Sequence, residues 1–290
     1  MDPEISLFFQ SPVPEGIPET QVSVQLSPEY DRQQLPSDNF EIETTWAARR
    51  EQNPWLFDAP KFRLHSIMLE GTILSFQLGL TCYKDFVGTN LAERAGHLQE
   101  QGFKDFGNSQ AYLAEPLGVG AMVHTTDDQF VFLRRSLCVG EAPGKIDVPG
   151  GHPEPLVVTR NSSKEPLRHE DFPRKSVVQE LFSSVLREIE DEVNLPLSSL
   201  SRPLLLGIAR NQTSAGRCSA EFYVRCSLTS EQIRIYYVVG GAEAHESTGI
   251  LFVSRKDVLT MKQNDELWHE LSPSAKGAIT LYEVVMGEHE

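Results

Sequence analysis

Residues 176–195, SVVQELFSSVLREIEDEVNL, decide how the sequence is interpreted. Apolar residues recur there every three or four positions, which predicts one buried stripe on a helix spanning residues 176–193. The stripe consists of Val178, Phe182, Val185, Ile189 and Val193. By itself the stripe indicates only a helix that packs on a core.

Three carboxylates of this helix lie beside the stripe. Glu188, Asp191 and Glu192 are spaced i, i+3 and i+4, so their side chains converge on one face. Like charges at this spacing cost a helix about 0.2–0.5 kcal/mol per pair, and a bound cation would remove that cost. Mg²⁺ prefers oxygen ligands of this kind. The alternative is a solvated acidic face, which is common in acidic proteins.

Composition and charge limit the classes of function. The 290 residues are 40% hydrophobic and 23% charged, which suits one large folded domain or two ordinary ones. A net charge of −15 disfavours nucleic acid as a partner, because polyphosphates bind through basic side chains. The apolar runs are too short for a signal peptide or a membrane span. We therefore expect an intracellular protein, cytoplasmic or nuclear and not secreted, with no membrane partner and four free cysteines.

Strand and helix patterns alternate along the chain. Strands are predicted at residues 5–10, 22–26, 62–69, 72–80, 119–123, 130–134, 204–209, 221–227 and 249–254. Further helices are predicted at 37–51, capped by Ser37-Asp38, at 91–101 and at 272–286, and a polar loop at 159–175. This order predicts an α/β (α+β) fold, a mixed β-sheet sandwiched between α-helices at 116–290, with an N-terminal mixed α/β extension domain at 1–115.

A resemblance to a known family gives the acidic helix a function. Residues 187–195, REIEDEVNL, resemble the second half of the Nudix box, R-E-U-x-E-E-x-G-U, where U is a bulky aliphatic residue. Asp191 replaces a Glu of the box, and Asn194 replaces the Gly. Asn also adopts the left-handed conformation that ends a helix. Pro149-Gly150-Gly151 resembles the turn that opens the box.

The spacing departs from the Nudix pattern at two places. Gly151 and Glu180 are separated by 28 residues, where the family has five. Glu180 and Arg187 are separated by six residues, where the family has seven. The loop at 159–175 can absorb the first difference as a surface insertion. The second difference leaves Glu180 as a residue that supports the ligands rather than as a ligand.

The resemblance covers about residues 116–290, and the stretches 54–63, 83–90 and 214–223 are similar to those of Nudix hydrolases that act on UDP-sugars. It implies Mg²⁺-dependent hydrolysis of UDP-glucose or UDP-galactose to UMP and glucose 1-phosphate or galactose 1-phosphate. One alternative is a non-catalytic sensor that binds UDP-sugars. Another is a Nudix hydrolase of a different nucleoside diphosphate derivative, such as ADP-ribose or coenzyme A.

The resemblance also implies roles for acidic residues. Glu188 and Glu192 are the expected metal ligands and catalytic residues, and Asp191 is a weaker ligand. Glu246 precedes a predicted strand, where many Nudix enzymes keep an additional Glu near the metal. It is the candidate for the catalytic base or a further ligand, and an exposed loop residue is the alternative.

Substrate-binding candidates come from both halves of the chain. Arg135 ends a predicted strand, and a guanidinium can hold a phosphate through two hydrogen bonds; a surface ion pair is the alternative. Asp147 and His152 flank the Pro-Gly-Gly turn and are candidates to reach ribose or phosphate hydroxyls. Gly140 would let the backbone approach a ligand closely.

Two aromatic residues of the N-terminal part are candidates for nucleoside binding. Phe57 and Tyr83 lie in the two N-terminal stretches that resemble the UDP-sugar hydrolases. An aromatic ring there can stack on uracil. We expect residues 1–115 to contribute to nucleoside recognition, and the alternative is that both rings belong to a core.

Overall fold

The computed structural model describes residues 2–36, 38–54, 56–159 and 167–287. The strands are β1 (Ile5–Gln10), β2 (Ile17–Pro18), β3 (Val22–Leu26), β4 (Pro60–Glu70), β5 (Ile73–Cys82), β6 (Gly118–His124), β7 (Gln129–Arg135), β8 (Ile146–Asp147), β9 (Gly150–Gly151), β10 (Leu204–Asn211), β11 (Arg217–Arg225) and β12 (Ser247–Ser254). The helices are α1 (Asp38–Gln52), α2 (Tyr83–Gly88), α3 (Ala95–Phe106), α4 (Pro155–Val158), α5 (Arg174–Val193), α6 (Ser230–Val239), α7 (Arg255–Thr260), α8 (Asp265–Glu270) and α9 (Pro273–Met286). The predicted cap Ser37, and residues 160–166 of the predicted loop, lie outside the described residues.

Two sheets organise the described part of the chain. The larger sheet has the order β1-β10-β11-β6-β7-β12, with β2, β8 and β9 attached to β10, β7 and β6. β11 and β6 are parallel, whereas β10 with β11 and β7 with β12 are antiparallel. The smaller sheet has the order β3-β5-β4. Both sheets mix parallel and antiparallel pairs, as the sequence predicted for an α/β (α+β) fold.

Helices α5 and α9 cover opposite faces of the larger sheet. Neighbouring residues of β11 divide between the two faces, because side chains alternate along a strand. Phe222 joins the core beneath α5, with Val185 and Ile189. Tyr223 joins the core beneath α9, with Tyr282. The predicted sheet between helices is therefore confirmed.

The helix of the acidic motif is close to its predicted bounds. It begins at Arg174, two residues early, and Asn194 follows its end with a φ of 63°. The left-handed conformation expected of Asn194 is therefore confirmed. Val177 is fully buried, whereas the predicted stripe residue Val178 is only partly buried. The stripe is thus rotated slightly at its first turn.

The predicted hairpin of β6 and β7 opens almost at once. The two strands pair only at His124 and Phe130. Beyond that point β8 pairs with β7 and β9 pairs with β6, so both short strands fill the space between them. This divergence brings Gly150 and Gly151 into the sheet, next to α5.

Part of the predicted loop at 159–175 is packed rather than exposed. Phe172 is buried, and its ring centroid lies 5.7 Å from that of Phe62. His169 Nε2 lies 2.9 Å from Asp31 Oδ1. The prediction failed here because one aromatic residue in a polar stretch gives no periodic signal.

The N-terminal residues contribute to both sheets. β1 and β2 pair with β10 of the larger sheet, whereas β3 pairs with β5 of the smaller one. Helix α2 was not predicted, and α3 lies four to five residues after its predicted position. Among the described helices, none combines the length and apolar character that a bilayer crossing requires.

Candidate active site

The Gly150–His152 turn holds two carboxylates of α5. The N–H of Gly150 donates to Glu192 Oε2 at 2.9 Å, and the N–H of His152 donates to Glu188 Oε1 at 3.3 Å. A Cβ on Gly151 would lie 2.1 Å from Glu188 Oε1, so a side chain at this position would displace the carboxylate. The two motifs recognised separately in the sequence thus meet in space.

Burial and mutual repulsion make the charged forms of Glu188 and Glu192 unfavourable. Burial, with further repulsion from Glu243 and Glu246, raises the pKa of Glu188 to about 7. Burial, followed by repulsion from Glu188, raises the pKa of Glu192 well above its usual value. The pair therefore favours either protons or a cation.

The donor set suits Mg²⁺. This ion commonly binds through one or two protein carboxylates and takes its remaining ligands from water and substrate phosphates. Glu188 and Glu192 are such a pair, and each receives one backbone N–H. In the described ranges, no group of three or more His, Cys, Asp and Glu side chains could hold a metal ion.

Further carboxylates surround the pair. Glu246 lines the adjoining cavity, and its backbone carbonyl accepts the N–H of Ser136 at 2.7 Å. Glu243, which the sequence analysis missed, has its pKa raised by burial and then by Glu246 and Asp191. Its N–H donates to the carbonyl of Asp191 at 2.9 Å. The segment before β12 therefore adds acidic groups to the α5 face.

A cavity of about 900 Å³ opens beside the carboxylates. Both halves of the chain line it. The predicted site residues in its lining are Phe57, Tyr83, Arg135, Gly140, Asp147, His152 and Glu246. Gly150 and Gly151 belong to the lining as well, and this places the cavity next to the turn that holds Glu188 and Glu192.

Arg135 and Asp147 form a pair in the wall of the cavity. Arg135 Nη1 lies 3.4 Å from Asp147 Oδ2, and Arg135 Nε donates to the carbonyl of Glu141 at 3.1 Å. Burial raises the pKa of Asp147, although Arg135 opposes that effect. Arg135 is therefore positioned by two protein contacts.

His152 presents an uncharged ring. Burial lowers its pKa well below the usual value, and the positive charges of Lys61, Arg217 and Arg135 lower it further. The imidazole is therefore neutral near pH 7, and a neutral ring has one donor and one acceptor nitrogen.

The two aromatic candidates differ in exposure. Phe57 is 76% exposed at the cavity rim. Tyr83 begins α2 and is partly buried, with its ring centroid 6.0 Å from that of Trp46 in an edge-to-face contact. Phe57 thus has a free face, whereas part of the Tyr83 ring supports the N-terminal core.

The polar face of β11 was not among the site residues predicted from the sequence. Arg217 and Ser219 line the cavity, and Glu221 lies next to them in the same alternating pattern. The signal was available, because polar residues at i, i+2 and i+4 alternate there with Cys218, Ala220 and Phe222. Lys61, on β4, also lines the cavity and was missed.

Known proteins share sequence similarity with nearly the whole chain. No protein-family model matches the chain. Nudix hydrolase 9 of Arabidopsis thaliana is 33% identical over 99% of this chain and 93% of its own length. The chain belongs to the Nudix hydrolase family.

Two relatives with higher sequence identity to this chain carry the same protein name. Uridine diphosphate glucose pyrophosphatase NUDT22 of Bos taurus is 59% identical, with 99% of both chains covered. The Homo sapiens protein of the same name is 57% identical over 99% of this chain and 95% of its own. Among solved structures, the MutT protein of Methanosarcina mazei Go1 is 18% identical, with a TM-score of 0.35, over 58% of this chain and 91% of its own.

Proposed function

We propose that this chain hydrolyses UDP-glucose and UDP-galactose to UMP and the corresponding hexose 1-phosphate, with Mg²⁺ as the cofactor. The observation that carries the proposal is a single cavity lined both by aromatic residues of the N-terminal part and by Gly150 to His152, the turn whose N–H groups hold Glu188 and Glu192. The similarity over 99% of the chain to proteins named uridine diphosphate glucose pyrophosphatase supports the choice of substrate.

Glu188 and Glu192 are the groups that would hold the metal, with Asp191 as a weaker ligand. The bound ion supplies neutralisation of the diphosphate charge and a lowered pKa for a water molecule. The chain's own contribution is prior placement, because the backbone N–H groups of Gly150 and His152 already orient both carboxylates. Fixed groups need no reorganisation during the reaction.

Glu246 is the group to which we assign the proton of the attacking water. Glu246 lines the cavity, and the Ser136 contact holds its backbone in the wall. A carboxylate oxygen of Glu246 would accept that proton as the water oxygen bonds to one phosphorus and the bridging P–O bond of the diphosphate breaks, which yields UMP and the hexose 1-phosphate.

The remaining candidates orient the substrate. Within the part of the chain that the structure describes, Nε and Nη1 of Arg135 contact the protein, which leaves Nη2 for a phosphate oxygen. Asp147 keeps Arg135 in place, and the neutral ring of His152 suits a hydroxyl of ribose or phosphate. A Cβ on Gly140 would lie 2.8 Å from the Tyr83 hydroxyl, so this glycine keeps the cavity wall clear beside that ring.

The nucleoside end is assigned to the N-terminal part, residues 1–115. Phe57 and Tyr83 lie on the rim and wall of the cavity, where a planar base can stack on an aromatic ring. The division at 115/116 is a functional proposal, because β1 and β2 join the larger sheet.

The test is a hydrolysis screen over nucleotide sugars, ADP-ribose and coenzyme A, with and without Mg²⁺ and with product identification. We expect Mg²⁺-dependent release of UMP and glucose 1-phosphate from UDP-glucose. Glu188→Gln or Glu192→Gln should lower turnover about 100-fold or more at an unchanged or higher melting temperature, because the repulsion is relieved. Glu190→Gln, on the same helix, is the matched control and should retain activity.

Two other results would replace the proposal. Tight binding of UDP-glucose without any product would indicate the non-catalytic sensor. Faster hydrolysis of ADP-ribose or of a coenzyme A derivative would indicate a different Nudix substrate.

A further inference from the structure

Strand β11 carries a polar strip, Arg217, Ser219 and Glu221, of which Arg217 and Ser219 line the cavity. In the parallel pairing of β11 with β6, Ser219 lies opposite Gly118 and Glu221 lies opposite Gly120. A Cβ on Gly118 would lie 2.3 Å from Arg217 Nη1, and a Cβ on Gly120 would lie 2.3 Å from Glu221 Oε2. The two glycines therefore make the room that the polar strip occupies.

Arg217 is a buried cation with unfilled hydrogen-bonding capacity. The residue is 7% exposed and lines the cavity. Its Nε has no hydrogen-bond partner among the described residues. A buried donor without an acceptor costs free energy, which a ligand acceptor would recover.

The ion pair that Arg217 makes with Glu141 is loose. Arg217 Nη2 and Glu141 Oε2 are 3.5 Å apart, beyond the usual length of a charge-assisted hydrogen bond. Glu141 belongs to the segment between β7 and β8 that lines the cavity, and its Oε1 accepts the hydroxyl of Ser214 at 2.8 Å. Its carboxylate is thus an anion placed beside the guanidinium within the cavity wall.

We propose that Arg217 binds an anionic phosphate oxygen of the nucleotide-sugar diphosphate, and that Glu141 occupies this place when no ligand is bound. The choice of diphosphate rests on the proposed function. Arg217 suits this role because a guanidinium matches phosphate oxygens with paired donors. Arg135 differs, since its Nε and Nη1 already contact the protein.

Binding of UDP and of uridine to the full chain tests the proposal, by calorimetry in EDTA so that neither turnover nor metal contributes. Arg217→Gln should weaken UDP binding about 10- to 100-fold and leave uridine binding unchanged. Arg217→Lys, which keeps the charge without the fork, should recover part of the loss. Arg225→Gln, on the same strand but outside the cavity lining, is the matched control and should bind both ligands normally.

Glu141→Gln gives a result that a merely structural Arg217 would not produce. Removal of the competing carboxylate should tighten UDP binding roughly threefold or more and leave uridine binding unchanged. This variant also keeps the proposal testable where Arg217→Gln fails to fold.

Three results would overturn the proposal: equal loss of UDP and uridine binding in Arg217→Gln, unchanged or weaker UDP binding in Glu141→Gln, or no preference of the unmodified chain for UDP over uridine. Failure of the proposed function would show in a different experiment, the hydrolysis assay, as an absence of UDP-glucose hydrolysis by the unmodified chain with Mg²⁺. The two failures are therefore distinguishable.

Discussion

Arg187 holds Glu180 across two turns of α5 through two hydrogen bonds, Nη1 to Oε2 at 3.1 Å and Nη2 to Oε1 at 2.5 Å. Oε1 of Glu180 also accepts the N–H of Glu154 at 2.8 Å. A separation of seven positions places both residues on one face of a helix. With this spacing, which differs from that of the Nudix box, the Glu180 carboxylate accepts three hydrogen bonds from the protein. We therefore assign Glu180 to stabilising the turn before α4 rather than to binding metal.

The first prediction follows from this contact. Glu180→Gln should lower the free energy of unfolding by about 1–3 kcal/mol, because the partly buried Arg187 loses a charged partner. Chemical denaturation measures this loss, and turnover of the folded variant should fall much less than in Glu192→Gln. Unchanged stability with abolished turnover would instead identify Glu180 as a metal ligand.

The second prediction concerns Gly151. In Gly151→Ala the new methyl group would meet Glu188 Oε1 at 2.1 Å, so the carboxylate must move. A displacement of this size should lower kcat about 100-fold, with a smaller effect on KM for UDP-glucose. Steady-state kinetics measure both constants. If kcat stayed near its normal value, the position of Glu188 would not matter to the chemistry.

The third prediction separates substrate stacking from core packing. Phe57→Ala should weaken UDP-glucose binding by about 1–3 kcal/mol and leave the melting temperature unchanged, since the ring is exposed. Tyr83→Ala should weaken UDP-glucose binding and, unlike Phe57→Ala, lower the melting temperature, because the Tyr83 ring contacts Trp46 and Phe86. Phe103→Ala, 67% exposed and outside the cavity lining, is the matched control. Normal KM in Phe57→Ala and Tyr83→Ala would place the nucleoside pocket elsewhere.

The fourth prediction uses Glu221, whose pKa burial raises to about 8 from a usual 4.5. The folded chain keeps this proton and the unfolded chain releases it between those values, so stability falls as pH rises through that window. Glu221→Gln cannot lose a proton. The free energy of unfolding of Glu221→Gln, measured by urea denaturation, should therefore rise relative to that of the unmodified chain as the pH increases. The difference should grow by up to about 1.4 kcal/mol per pH unit between pH 5 and 8. Parallel pH curves would contradict the raised pKa.

Local patterns predicted α5 and much of the sheet, because their signals lie within one segment. The period of α5, the strand at residues 5–10 and the start of α9 at Pro273 are all close to the structure. The partners of the strands were not predictable in this way. Nothing near residues 5–10 indicates that they pair with β10, and nothing in β6 or β7 indicates that they diverge after His124 and Phe130.

Among the site residues, too, those within one segment could be predicted, whereas those brought together from distant segments could not. Glu188 and Glu192 could be singled out because a charge cluster within one helix is visible in the sequence. Arg217 and Glu141 were missed, since their proximity depends on how β11 meets the segment between β7 and β8. Each is an ordinary charged residue until the fold brings the two together.

The pairing of β1 with β10 constrains the order in which the molecule can be completed. Ile5 pairs with Asn211, so a strand made early in synthesis waits for a partner that lies about 200 residues further along the chain. Lys276 holds the residues just before that strand through ion pairs with Asp2 at 3.0 Å and Glu4 at 2.6 Å. When only the N-terminal half has emerged from the ribosome, β1 therefore still lacks its partner strand β10. Contacts this distant along the chain slow folding, and an unpaired strand is open to wrong partners while it waits.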